Sequence, residues 1–217
     1  MTVAIATACA LIAGLVLQAR LTRADYRYDD ERHLPRRGCR WVAPVLAVAV
    51  GLLAWRAEGQ LVVLVGYAVV LAWMAGLAVI DLDVRRLPNR WTLPSYPAAA
   101  VLLAGCTWAS EIGWAAWVTA LVCGVVNGAV HLLLAVLNPA GLGLGDVKLA
   151  VTLGMVTGWF GWPAAFAAFL GAFCLGLVVG LLAAVRTGAG RKATFPFGPS
   201  MLGAAALVVL LAVPSVA

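Results

Sequence analysis

Nine acidic residues occur in this chain of 217, and three of them stand where chemistry can start. Asp81 and Asp83 lie in "LAVIDLDVRRLPNRWTLP", where a long apolar run ends in charge. Asp146 lies in "NPAGLGLGDVKLA", where alternating glycines lead into another apolar run. Of the rest, Asp25, Asp29, Asp30 and Glu31 share one polar stretch, while Glu58 and Glu111 fall in short turns. A carboxylate at membrane depth costs roughly 2.5–3.5 kcal/mol on insertion scales, which makes it a functional candidate by default. Two carboxylates sharing one proton can activate a water and polarise a carbonyl, because like charges a few Å apart do not both ionise easily. Paired acids near glycine breaks also serve proton-coupled transporters and channels. The plainer alternative puts all three just outside the hydrocarbon, paired with neighbouring Arg and Lys.

The elements that must position these acids are membrane helices. The chain is 64% hydrophobic and 11% charged, with a mean hydropathy of +1.01, whereas a soluble domain carries about a quarter charged residues. The apolar residues come in blocks of roughly 20, the length that crosses about 30 Å of hydrocarbon. Strands of an outer-membrane barrel would instead alternate over roughly ten residues. The prediction is an all-α polytopic membrane protein with eight transmembrane helices, at about 2–19, 42–55, 60–80, 94–109, 112–137, 147–160, 162–185 and 195–215. The first run is not read as a cleaved signal peptide, since Arg20 and Arg23 follow it rather than precede it.

Charge orients the bundle. Fourteen of the fifteen basic residues fall in residues 20–40, 85–90, 186–192 or at Lys148, all on one side if eight spans alternate, and only Arg56 falls on the other. Cytoplasmic retention of basic loops produces such a bias, so both termini are expected to face outward. The net charge of +6 then reports topology rather than nucleic-acid binding. The 20–41 segment, with seven arginines against four acids, reads as a solvated loop or short surface helix touching anionic headgroups of the lipid bilayer.

Local sequence narrows the chemistry. Pro88 stops the helix that carries Asp81 and Asp83. Residues two apart on a helix point about 200° away from each other, so these two acids cannot face one site if the helix continues, and Asp83 is expected to pair with Arg85 or Arg86 or to face water. Gly141, Gly143 and Gly145 allow close approach or positive φ, and Asp146 fits as the N-cap of the next helix. The run lacks the spacing and preceding strand of a nucleotide fingerprint. No metal or cofactor is expected: His33 is in a loop and His131 is isolated. His131 and Asn127, four apart, read as an interhelical polar contact. The five cysteines form no C-x-x-C pair and read as small core residues.

Taken together, "IDLDVRRLPNRWTLP", "GLGLGDVKL" and "ATFPFGPSMLGAAAL" resemble, in order, three stretches of the prepilin peptidases, or type IV leader peptidases, which are membrane aspartyl proteases of the GxGD kind. The resemblance runs from about residue 60 to the end. It implies a membrane-embedded peptidase core over 60–217, behind N-terminal helices in 1–59. It implies that Asp81 and Asp146 are the catalytic pair, with Gly143, Gly145 and Lys148 supporting them. It further implies cleavage of the basic leader of prepilin or pseudopilin-like membrane substrates, for pilus assembly or protein secretion. Many bacterial members carry two C-x-x-C pairs in an N-terminal insertion associated with methylation; here only Cys39 occupies that region, so a peptidase-only short form is expected. Helix dipoles would favour a proton on Asp81, closing a helix, and the charge on Asp146, opening one. Lys148 serves either to steady the pair or to anchor the interface.

Overall fold

The computed structural model describes residues 1–33, 35–57, 59–138, 141–187 and 196–213. Glu58, Arg191, Lys192 and the "AT" and first Phe of the last quoted stretch lie outside them. Among the described residues the chain is helical, without a strand. The helices are α1 (Thr2–Leu21), α2 (Val42–Arg56), α3 (Leu61–Val84), α4 (Asn89–Thr92), α5 (Ser95–Ser110), α6 (Trp114–Leu137), α7 (Leu144–Gly158), α8 (Trp162–Thr187) and α9 (Gly198–Ala212). Each of the eight predicted spans is a helix, and α4 is a single added turn.

Four helices, α1, α3, α6 and α8, are long and apolar enough to cross a membrane. α2, α5, α7 and α9 have 15 or 16 residues, about 22–24 Å at the helical rise. Two boundaries differ from the sequence reading in a way that matters. α3 runs on to Val84 and α7 starts at Leu144, so all three candidate acids sit inside terminal helical turns rather than in loops. The charge is accommodated because each carboxylate finds shelter in the protein, as the site shows.

α3 and α7 form the centre. Tyr67, Leu77 and Ile80 of α3 and Leu149, Ala150 and Val156 of α7 are fully buried, as is Val209 of α9. The large exposed apolar side chains lie around the rim, for example Ile12 and Leu15 on α1 and Leu177, Leu181 and Val185 on α8. That inside-out rim is what lipid as solvent requires.

Small residues let the central helices touch. α6 carries Gly124 and Gly128, and α7 carries Gly154 and Gly158, a small-xxx-small spacing on both partners. A Cβ built on Gly154 would lie 2.6 Å from the Cys123 carbonyl oxygen and 3.0 Å from Gly124 Cα, so the two backbones are in direct contact. At one end of the bundle Arg56 caps α9, donating to the Leu211 and Val213 carbonyls at 2.9 and 3.2 Å. The start of α7, the end of α3 and the start of α9 meet at the opposite end.

Candidate active site

Three helix termini build the site. α3 ends because Arg85 turns left-handed, with φ 52° and ψ 37°, and Pro88 follows two residues after Arg86 with no N–H to continue the ladder. The Arg85 amide donates to the Asp81 carbonyl at 2.9 Å, so Asp81 lies in the last turn of α3. Gly143 is the N-cap of α7, and its carbonyl accepts from the Asp146 and Val147 amides at 3.0 and 3.3 Å. α9 starts at Gly198, with Pro199 just inside, where its missing N–H costs nothing.

These termini bring Asp81 and Asp146 together. A Cβ built on Gly198 would lie 2.5 Å from Asp81 Oδ2 and 3.7 Å from Asp146 Oδ1. Two sides of a triangle bound the third, so those two oxygens are at most about 6.2 Å apart, although 65 residues separate them in sequence. Oδ2 of Asp81 is buried and has no hydrogen-bond partner among the described residues, while the Gly198 amide is close enough to act on that carboxylate. Such an arrangement can hold one water between two acids and share one proton.

The supporting residues act differently from the sequence reading. Asp146 is not an N-cap. It is the third residue of α7, with Gly143 as N-cap, and its carboxylate reaches back toward the Gly143 amide, the acidic half of a capping box. Neither Gly143 nor Gly145 has a positive φ. What Gly145 supplies is space: a Cβ there would lie 3.3 Å from Leu87 Cβ, so its absence lets α7 pack on the turn after α3. Lys148 is on neither acid; its Nζ donates to Asn89 Oδ1 at 2.8 Å, tying α7 to α4.

Asp83 also differs. It points away from Asp81, as helical geometry requires, but pairs with neither Arg85 nor Arg86. Its carboxylate accepts from Tyr26 Oη at 2.7 Å, from Arg27 Nε and Nη2 at 2.8 and 2.7 Å, and from the Arg37 amide at 3.0 Å. Arg86 instead pairs with Glu31, donates to the Tyr26 carbonyl and stacks on the Tyr28 ring at 3.7 Å. Tyr26, Arg27, Tyr28, Glu31 and the Arg37 amide are therefore held against the end of α3, while much of the rest of the described loop is exposed. Sequence neighbours were the obvious partners for Asp83; the observed ones lie 46 to 57 residues away.

Asn127 makes the interhelical contact expected of it, donating to the Ala150 carbonyl of α7 at 2.9 Å. His131 packs against Phe169 and Phe173 of α8. No cluster of metal-ligating side chains occurs among the described residues. Gly198 is the residue that the sequence reading left unweighed, although its signal, a glycine directly before proline at a helix start, stands in the "FPFGPS" stretch.

A model of the type IV leader peptidase family matches residues 68–181, more than half of the chain and a segment that contains both acids. The chain belongs to the type IV leader peptidase family. It is a membrane protein of a protease family, and the family assignment agrees with the resemblance carried by the sequence motifs. No curated protein and no solved structure matches the chain. The matched segment of this leader peptidase family member leaves out Gly198 and the 20–41 loop, both of which contact the ends of the matched helices.

Proposed function

We propose that the protein is an aspartic endopeptidase that cuts the basic leader from prepilin-like or pseudopilin-like membrane substrates at the cytoplasmic face of the cell membrane. The observation that carries this reading is the convergence of Asp81 and Asp146 on Gly198, within about 6.2 Å of each other. One carboxylate takes a proton from water as the water oxygen adds to the scissile carbonyl carbon. The other acid gives its proton to the carbonyl oxygen. Collapse of the tetrahedral intermediate returns the hydroxyl proton to the pair and protonates the leaving amine, which restores the starting state.

The sidedness rests on charge. Arg27, Arg37, Arg85, Arg86, Arg90 and Lys148 lie at the end of the bundle that holds the acids, and basic loops are retained in the cytoplasm. With eight helices alternating in direction, both termini face outward. A substrate with a basic leader and a following apolar helix presents its junction at this level of the bilayer. Both acids lie in terminal helical turns, not at mid-depth between discontinuous helices, which favours a peptidase over a proton-coupled transporter.

The test is coexpression with a prepilin-like substrate, followed by a gel shift of leader length. Asp81→Asn and Asp146→Asn are each expected to abolish processing while the protein remains in the membrane fraction. Processing that survives both substitutions would refute the mechanism.

A further inference from the structure

Asp83 is buried with its partner Arg27, their side chains 1% and 2% exposed, yet the peptidase chemistry uses neither. Burying an ion pair is a poor route to stability, since well-packed apolar residues serve as well or better. What a pair gives, and apolar residues do not, is a fixed direction. Here four donors from Tyr26, Arg27 and the Arg37 amide converge on one carboxylate. Arg86, three residues on, is held by Glu31, the Tyr26 carbonyl and the Tyr28 ring. An apolar patch of Leu21, Tyr26, Cys39, Val42, Val79 and Ile80 seals the same contact.

We propose that Asp83 is a positioning residue: through Tyr26 and Arg27 the N-terminal loop grips the last turn of α3 from behind and sets the rotation that aims Asp81 at Asp146 and Gly198. This rests on the peptidase reading. Asp83 sits about 200° round the helix from Asp81, so a grip on one fixes the other. Side chains stand about 5–6 Å from the helix axis, so a rotation of only about 10° moves the Asp81 carboxylate by about 1 Å. Misplacement on that scale costs a reaction about a hundredfold. The last turn of a helix, whose end is closed by a non-glycine residue in the left-handed region, has little of its own to resist such a rotation.

The experiment measures kcat and KM on a prepilin-like substrate for purified wild type, Tyr26→Phe, Arg27→Lys and Asp83→Asn, alongside Asp81→Asn, with thermal melting of each in detergent. Tyr26→Phe removes one donor and strands no charge, so it is the variant certain to report on position rather than folding. A graded fall in kcat is expected, roughly threefold for Tyr26→Phe and tenfold to a hundredfold for Arg27→Lys and Asp83→Asn. KM should stay within about twofold and the Tyr26→Phe melting temperature should match wild type. Wild-type kcat in Tyr26→Phe and Arg27→Lys, while Asp81→Asn is inactive, overturns the positioning role and leaves the peptidase reading standing. Full activity in Asp81→Asn overturns that reading instead. Losses of kcat that track the loss of folded protein in every variant reduce Asp83 to a structural ion pair and also overturn the proposal.

Discussion

Gly198→Ala isolates the geometry on which the proposed chemistry depends. The added Cβ would lie 2.5 Å from Asp81 Oδ2 and 3.1 Å from its Cγ, whereas ordinary contact begins near 3.4 Å. The carboxylate must therefore retreat by about 0.9 Å. Because Cγ is crowded too, rotating one oxygen aside does not relieve the contact. At about a hundredfold per Å of misplacement, kcat should fall by about two orders of magnitude, or about 2.7 kcal/mol of transition-state stabilisation. Folding should not suffer in proportion, since alanine is favoured over glycine in a helix by up to about 1 kcal/mol. The control is Gly203→Ala on the same helix, where the added methyl meets only Leu175 Cδ1 at 3.8 Å. The assay is steady-state cleavage of a prepilin-like substrate in detergent micelles, with thermal melting alongside. A Gly198→Ala protein that keeps a third or more of wild-type kcat would refute the reasoning, because Asp81 could then yield the space without consequence.

Gly145→Ala should cost about tenfold or less in kcat, since its Cβ meets Leu87 Cβ at a milder 3.3 Å; a loss exceeding that of Gly198→Ala in the same assay would contradict the ranking. Gly154→Ala should leave the site alone but lower the melting temperature, because overpacking against Cys123 O at 2.6 Å and Gly124 Cα at 3.0 Å costs about 1–3 kcal/mol and neither is a side chain that can swing aside. Acid should loosen the 20–41 segment. The Arg86 guanidinium, hydrogen-bonded to Glu31, holds its carboxyl below the ordinary value of 4.5, so the stabilisation is present above that value and is lost as pH falls through the lowered one. Hydrogen exchange over residues 22–40, corrected for its intrinsic pH dependence, should rise in wild type as pH falls below 4.5, and Glu31→Gln should flatten that rise.

The helices that carry the candidate acids were more legible in the sequence than the contacts around those acids. Span length located the eight helices, and acids at the ends of apolar runs reduced nine candidates to Asp81, Asp83 and Asp146. Helical geometry separated Asp83 from Asp81, since a two-residue offset turns a side chain to the far face whatever surrounds it. The partners of Asp83 were hidden because two arginines follow it directly, and local pairing competes well in any reading that lacks the fold. Tyr26, Arg27 and Arg37 prevail because the loop between α1 and α2 returns across the end of α3, a path set by packing of Tyr26, Cys39 and Val42 on Val79 and Ile80. The glycines were hidden in a similar way. Gly143 and Gly145 suggested a conformation, positive φ, that neither adopts, whereas the space that Gly145 and Gly198 leave depends on Leu87 and Asp81 arriving from elsewhere.

The role of the helix ends follows from the same convergence. Sequence offered one asymmetry: Asp81 closes a helix and Asp146 opens one, which favours charge on the second. The fold adds the start of α9, whose first amide, Gly198 N–H, faces Asp81. The positive end of one helix thus serves each acid, α7 for Asp146 and α9 for Asp81, and the unfavourable end of α3 is opposed where it matters. A pair sharing one proton must exchange it during each turnover, because the base that takes the water's proton has to give it up before the next cycle. An environment that strongly preferred one carboxylate would oppose that exchange. In the proposed mechanism, a helix start beside each acid lets either carboxylate carry the pair's single negative charge, as that exchange requires.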